Sequence, residues 1–284
     1  MKPLYIWAGG KNKMLKKYAD YLPKSFSTYV EPFFGGGAMY WWAYRKNPDA
    51  RFVINDINES IINIYTSIKY DLSNFINKMD ELSNEYLPLD KPSRKEYYFN
   101  LRHQHAFDYE AWDKTIESAT LYFLMKTGFN GIWQINKNTN GRFGTPSGLL
   151  NQKDKVYDKE NVLEWHSALQ KTTILSGDFS ETLEHSTEGS YTFLDPPYRG
   201  SFTQYGIDFD DKIQMSVLDH LNKCKEQGSY TLLSNRDVGD GFFEDNVGDN
   251  KMVYFDVTYT AGRRKKNNDG SFSAKPAKEV LIFW

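Results

Sequence analysis

The residues best suited to chemistry in this 284-residue chain sit in the stretch "TFLDPPYRG", residues 192–200. Thr192, Phe193 and Leu194 read as the end of a buried strand, and Pro196 and Pro197 have no N–H with which to continue a ladder. The strand must stop at Asp195, which leaves a carboxylate and the ring of Tyr198 on a stiff turn. A second candidate is "VEPFFGGGAMYW" (30–41). Gly35, Gly36 and Gly37 follow a strand and precede a helix, where missing side chains let a ligand approach the backbone and the helix N-terminus. About 20 residues on, Asp56 ends the next strand, in the position that hydrogen-bonds ribose hydroxyls in dinucleotide-binding folds. Together these residues point to an adenosine-containing cofactor. GxGxxG is absent, so the spacing is not the nicotinamide fingerprint. Taken alone, the glycines serve equally as a tight turn, and Asp56 as a cap for the helix beginning "INESII".

Positioning such residues requires strands with helices between them. "TYVEPF" (28–33) and "RFVIND" (51–56) predict strands separated by a helix across "AMYWWAYRK". After residue 150, "KTTILSGDF" (171–179), "SYTFLD" (190–195), "SYTLLSN" (229–235), "KMVYFDVTYT" (251–260) and "KEVLIFW" (278–284) supply five more, with a helix over roughly 212–227. The expected fold is α/β: a doubly wound, mostly parallel seven-stranded sheet ending in an antiparallel hairpin around the basic 261–278 loop. The middle differs in kind. Residues 71–126 are helical and charged, and "TGFNGIWQINKNTNGRFGTPSG" (127–148) is too long for a simple connection, so it is functional or disordered. The expected organisation is 1–70 and 158–284 as one unit, with 71–157 inserted as a helical domain carrying a recognition loop.

Composition fits a folded protein with a sizeable core, at 40% hydrophobic and 16% aromatic. The N-terminus does not resemble a signal peptide and no 18-residue apolar run occurs, which predicts a cytosolic protein without a membrane span. The single cysteine, Cys224, excludes an internal disulfide and takes no catalytic role. "HQH" at 103–105 lies in a helical, charged context without a nearby cysteine, and no metal site is predicted. The net charge of −2 hides a segregation: residues 1–24 and 262–278 each carry +5. That arrangement permits a local phosphate-binding surface on an otherwise acidic protein.

"WAGGK" (7–11), "VEPFFGGG" (30–37), "NDIN" (55–58), "FNG" (129–131) and "LDPPY" (194–198), in that order, resemble the Dam-type DNA adenine-N6 methyltransferases over nearly the whole chain. The resemblance implies a bacterial or phage-encoded enzyme that uses S-adenosyl-L-methionine on double-stranded DNA, as a monomer or weak dimer, with 71–157 as target-recognition domain. Position by position, it implies that Trp7 and Lys11 line the cofactor pocket. Glu31, Phe33, Gly35 and Gly37 surround the methionine moiety, Asp56 holds the ribose, and Asp178 and Phe179 grip the adenine ring. Asp195 borders cofactor and substrate. Singly, Trp7 reads equally as core, Lys11 as a solvated helix-start residue and Phe179 as packing.

The resemblance also gives the DPPY turn a chemistry. The exocyclic amine of adenine is a poor nucleophile and is paired and stacked in a duplex, so the base must first be flipped out. The Asp195 carboxylate and the Pro196 carbonyl can then each accept one amine hydrogen, Pro197 stiffens the arrangement, and Tyr198 offers a ring face. For DNA contacts, Phe129 and Trp133 offer apolar surface, Asn130 and Gln134 amides, Arg142 a phosphate or guanine contact, and Arg263, Arg264, Lys265 and Lys266 phosphate contacts. Two departures put GATC specificity in question: Gln134 stands where those enzymes carry a guanine-contacting arginine, and Ile6 replaces the lysine preceding "WAGGK". The alternatives are a cytosine-N4, RNA or protein-amide methyltransferase of the same fold, and a binding module that has lost catalysis.

Overall fold

The computed structural model describes residues 1–7, 9–199, 209–258, 265–266, 272–273 and 276–284. Among these, one sheet holds β1 (Thr28–Glu31), β2 (Arg51–Asn55), β3 (Thr172–Leu175), β4 (Ser190–Leu194), β5 (Tyr230–Asp237), β6 (Lys251–Thr258) and, later in the chain, β9 (Pro276–Phe283). A short ribbon of β7 (Lys265–Lys266) and β8 (Phe272–Ser273) stands apart from it. The sheet order is β3-β2-β1-β4-β5-β9-β6. Strands β1 to β5 run parallel, and β9 enters antiparallel between β5 and β6. The β6–β9 pairing is the C-terminal hairpin expected from the sequence, in register from Lys251 opposite Phe283 to Thr258 opposite Pro276.

The strands end where their chemistry makes them end. β4 is buried along all five residues, as a central parallel strand covered on both faces must be, and it stops at Leu194, immediately before Asp195 and the prolines. β1 stops at Glu31, before Pro32, and β3 at Leu175, before a Ser-Gly turn, so both are shorter than the apolar runs suggested.

The described α-helices are α1 (Leu15–Tyr18), α2 (Ala38–Lys46), α3 (Glu59–Tyr70), α4 (Leu72–Tyr86), α5 (Lys91–Phe107), α6 (Lys114–Thr127), α7 (Lys159–Leu169), α8 (Asp211–Glu226) and α9 (Phe242–Asn246), joined by short 3-10 turns. Four of their starts are capped by side chains: Asn58 accepts from Ile61 N, Asp90 from Ser93 N, Asp113 from Thr115 N and Asp210 from Ile213 N. The core is aromatic. Tyr40 stacks on Trp165 at 5.1 Å, and Tyr29, Tyr40 and Phe52 pack within 6.3 Å of one another under β1 and β2. Burying each such ring contributes about 1.5–3 kcal/mol. The middle helices join this core: Phe75 and Met79 of α4 and Leu121, Phe123 and Met125 of α6 belong to the same buried cluster as Tyr29 and Phe52.

Candidate active site

The strand order reverses between β1 and β4. In open α/β sheets the crevice at the carboxyl ends of the strands flanking such a reversal is where ligands bind. Here those ends carry Glu31 and Asp195, and a cavity of about 1680 Å³ opens beside them. A single small-molecule site occupies roughly 300–1,000 Å³, so this one holds room for a second group beside a cofactor. Every cofactor and catalytic candidate named from the sequence, from Trp7 through Asp195 to Tyr198, lies on its wall.

Asp195 is held by a lysine from the other end of the chain. Lys11, which the sequence alone allowed as a solvated residue, is 2% exposed. Its Nζ donates to Asp195 Oδ1 at 2.7 Å and to Glu279 Oε1 at 3.1 Å. The Tyr198 hydroxyl lies 3.3 Å from the same Nζ, which also sits 5.1 Å from the Tyr198 ring centroid. Burial works against the ammonium, but Asp195, Tyr198 and Glu279 outweigh it and hold Lys11 well above the ordinary lysine range. Burial pushes the Asp195 carboxyl up to about 6 against the pull of Lys11, with Glu279 adding to the rise. Two residues that the sequence reading did not name secure the turn. Glu279 is one, an acid at the head of the apolar run "EVLIFW", where a carboxylate entering a buried strand was the available signal. Arg199 is the other: buried, it pairs with Asp211 at 2.8 Å and with Asp240, and lies 4.3 Å from the Phe242 ring.

The glycine loop is shaped chiefly by the protein itself. A Cβ on Gly35 would sit 2.4 Å from Trp7 Nε1, one on Gly36 2.8 Å from Trp7 Cβ, and one on Gly37 2.8 Å from the Phe34 ring. Gly35 and Gly37 also have φ of 49° and 67°, which favours glycine. The space expected to admit a ligand is thus filled by the Trp7 indole at Gly35 and Gly36, while the loop still borders the cavity. Asn55 staples the three strand ends together, donating to Pro32 O at 3.1 Å and Gly177 O at 3.0 Å while its own carbonyl accepts from Phe34 N at 2.9 Å. Asp56 accepts from Gly35 N at 2.8 Å and Asn58 N at 2.9 Å, so it caps the turn and faces the cavity at once.

Glu31 is 3% exposed and accepts from the Tyr29 hydroxyl at 2.8 Å, and among the described residues no cation pairs with it. Burial raises its carboxyl well above the usual range in spite of that hydrogen bond. Also on the cavity wall, the Phe33 and Phe179 rings lie 5.2 Å apart, and His220 of α8, pushed down to about 4 by burial, meets Phe179 edge-on at 5.3 Å. Asp178 caps the turn after β3, accepting from Ser180 N at 2.9 Å.

The long loop after α6 is ordered by its own pairs. Bridges join Gly128 to Ser147 and Ile135 to Phe143, and Arg102 of α5 donates to Gly144 O and Thr145 O at 3.0 and 2.9 Å. Phe129, Asn130 and Gln134 are exposed, with Asn130 at φ 54°. Two expectations need correction. Trp133 is 7% exposed, packed 5.6 Å from Phe143 and 6.4 Å from Trp7, so it presents no free apolar face. Arg142 is committed to Glu117 and to the Tyr109 ring 3.4 Å away, and its charge is already matched inside the protein. Arg263 and Arg264 lie outside the described residues; Lys265 and Lys266 are described only as strand β7. Among the described residues no helix is long and apolar enough to cross a membrane, and no cluster of three or more His, Cys, Asp or Glu is arranged to hold a metal ion.

Residues 7–259 match the family model described as D12 class N6 adenine-specific DNA methyltransferase. The type II methyltransferase M.MjaIII of Methanocaldococcus jannaschii is 33% identical over 99% of this chain and 98% of its own length. The DNA adenine methylase of Vibrio cholerae is 31% identical over 82% of this chain and 80% of its own. Among solved structures, a SAM-dependent O-methyltransferase from Thermotoga maritima covers 98% of this chain and 66% of its own at TM-score 0.38 and 10% identity.

Proposed function

The chain belongs to the D12 class of N6 adenine-specific DNA methyltransferases, and from that premise we propose how its residues divide the work. The reaction class is methyl transfer to adenine N6 in DNA, and the family implies S-adenosyl-L-methionine as the donor. Two features of the cavity fit that donor: Glu31, a buried carboxyl without a cationic partner among the described residues, suits the methionine ammonium, and the Phe33–Phe179 wall suits an adenine. Asp56 stands where a ribose hydroxyl can share its outer lone pairs. When bound, the donor supplies an electrophilic sulfonium methyl group.

The remaining work falls to the DPPY turn. Asp195 and the Pro196 carbonyl each accept one hydrogen of the extruded adenine's amine, which turns the nitrogen lone pair toward the methyl group. After transfer the amine is acidic and gives its proton to Asp195. Tyr198 provides the stacking face, worth about 1–3 kcal/mol per base. The observation that carries this reading is the placement of Asp195 and Glu31 at the switch point, on one cavity large enough for both ligands.

Residues 71–157 act as the target-recognition unit, with Asn130 and Gln134 reading base edges and Phe129 wedging against the opened pair. Arg263, Arg264, Lys265 and Lys266 contact phosphates of duplex DNA. The enzyme works in the cytoplasm as a monomer or weak dimer. Duplex oligonucleotides incubated with the enzyme and a labelled methyl donor, then digested to nucleosides, test the reading. N6-methyladenine is expected, and it disappears with Asp195→Ala; label on cytosine, or an active Asp195→Ala enzyme, contradicts it.

A further inference from the structure

The short helical segment that runs from Lys11 through α1 has two faces. Lys11, Met14 and Tyr18 are buried, while Lys13, Lys16 and Lys17 are exposed. Lys13 and Lys17 stand four residues apart, close to one helical turn, and so share a side. Both lie on the wall of the large cavity, together with Asp256 and Val257 of β6, whereas Lys16 does not. Lys17 Nζ donates to the Asp256 carbonyl, which ties the segment to the strand that leads in sequence into the second basic stretch. Exposed lysines elsewhere answer to acids: Lys114 pairs with Glu59, Lys159 with Asp80 and Lys171 with Asp49. Here, among the described residues, only Lys11 forms ion pairs, and no carboxylate pairs with Lys13, Lys16 or Lys17. Asp20 is the single acid in residues 1–24. Lys13 and Lys17 therefore bring unmatched positive charge to a cavity whose wall also carries Asp195.

We propose that Lys13 and Lys17 form a phosphate clamp beside the target nucleotide. A base turned out of the duplex draws its flanking phosphates toward the pocket that receives it, and two ammonium groups at that point hold the strand in its extruded geometry. The buried face of the same segment delivers Lys11 to Asp195 at 2.7 Å. A phosphate gripped on the outer face is thereby kept in register with the reacting carboxylate. Lysine suits the task, as a point charge on a long stem that makes no demand on base identity. The clamp is indifferent to sequence, unlike the exposed amide side chains of the loop after α6. The inference rests on the reading that an adenine of duplex DNA enters this cavity.

The test compares the parent with Lys13→Gln/Lys17→Gln on a duplex that the parent methylates, with Lys16→Gln as the control that removes charge from the same segment away from the cavity. The double variant is expected to bind all duplexes more weakly and to flatten log K against log salt by roughly 1.8, about 0.9 for each contact, with Tm and donor affinity unchanged. Lys16→Gln should keep the parental slope, and Lys13→Arg/Lys17→Arg should restore it. Duplexes with a neutral methylphosphonate at one phosphate at a time locate the contact: beside the target adenine the substitution should weaken the parent several-fold and leave the double variant unaffected. A parental slope in the double variant, equal flattening by Lys16→Gln, or a methylphosphonate effect that persists in the double variant overturns the proposal. If the double variant loses stability, Lys13→Gln alone carries the test, since Lys13 makes no side-chain hydrogen bond among the described residues; its slope falls by about 0.9 or the proposal fails. A parent that methylates no adenine in duplex DNA would instead remove the reading beneath it, so the two failures are told apart.

Discussion

On the proposed mechanism Asp195 accepts from the amine in its ionised form, and burial raises its carboxyl to about 6. Methyl transfer should therefore be constant at high pH and fall as pH drops through about 6, measured as single-turnover rate with saturating DNA and donor. A limb near the ordinary aspartate value would mean that the cavity does not desolvate Asp195. Glu31 makes a different kind of prediction, about binding. Its raised carboxyl must ionise to meet a cationic ammonium, so donor affinity should improve as pH rises, and Glu31→Gln should weaken binding about 10- to 100-fold and abolish the pH dependence. That range corresponds to a charged hydrogen bond of about 1.5–3 kcal/mol, and titration calorimetry across pH decides it. Tyr198 separates ring from hydroxyl. Tyr198→Ala should lose most activity. Tyr198→Phe should lose only several-fold, since its hydroxyl bonds to Lys11 and Glu279 are long, at 3.3 and 3.4 Å; equal rates for the two variants would deny the stacking role.

The long loop after α6 and the glycine turn show how far elements can be read from a sequence. Both were legible as unusual, because a plain connection between a strand and a helix needs neither three successive glycines nor a long run of aromatic and amide side chains. Their internal wiring was not. Nothing in the sequence near Arg142 announces Glu117, 25 residues away on α6, or that Trp7 fills the space over Gly35. Strand positions came through well, since runs such as "SYTFL" admit little else, while their ends shifted at Pro32 and at the turn after Leu175. The exposed Gln134 should choose sequence: Gln134→Arg is expected to shift preference toward guanine at one flanking position by about 1–3 kcal/mol, scored as kcat/KM across all variants of a short site. Arg142→Ala should behave differently. With its charge matched by Glu117, the loss should appear as lowered stability, on the order of 1–3 kcal/mol, with site preference unchanged; a changed preference would return Arg142 to the DNA.

At the scale of the whole molecule, a net charge of −2 conceals two basic segments of +5, and binding should depend on them more than on the total. Neutralising Arg263, Arg264, Lys265 and Lys266 together should weaken binding to all DNA sequences alike. It should also flatten the plot of log K against log salt by roughly 0.9 for each phosphate that is no longer neutralised. An unchanged slope would show that these residues do not touch the backbone. The motif order revealed the fold because each motif is local, and it missed Glu279 because the partnership with Tyr18 spans 261 residues. That span has a consequence for how the enzyme comes into being. β9 is synthesised after β6 yet inserts between β6 and β5, so a growing chain must hold a gap in its sheet, and pairings this remote in sequence form slowly. The reaction centre is closed from both directions along the chain, and a ribosome-bound polypeptide arrested before Pro276 should already carry the DPPY turn and the glycine loop while remaining silent on DNA. Activity would then switch on only once β9 has been made and seated between β5 and β6.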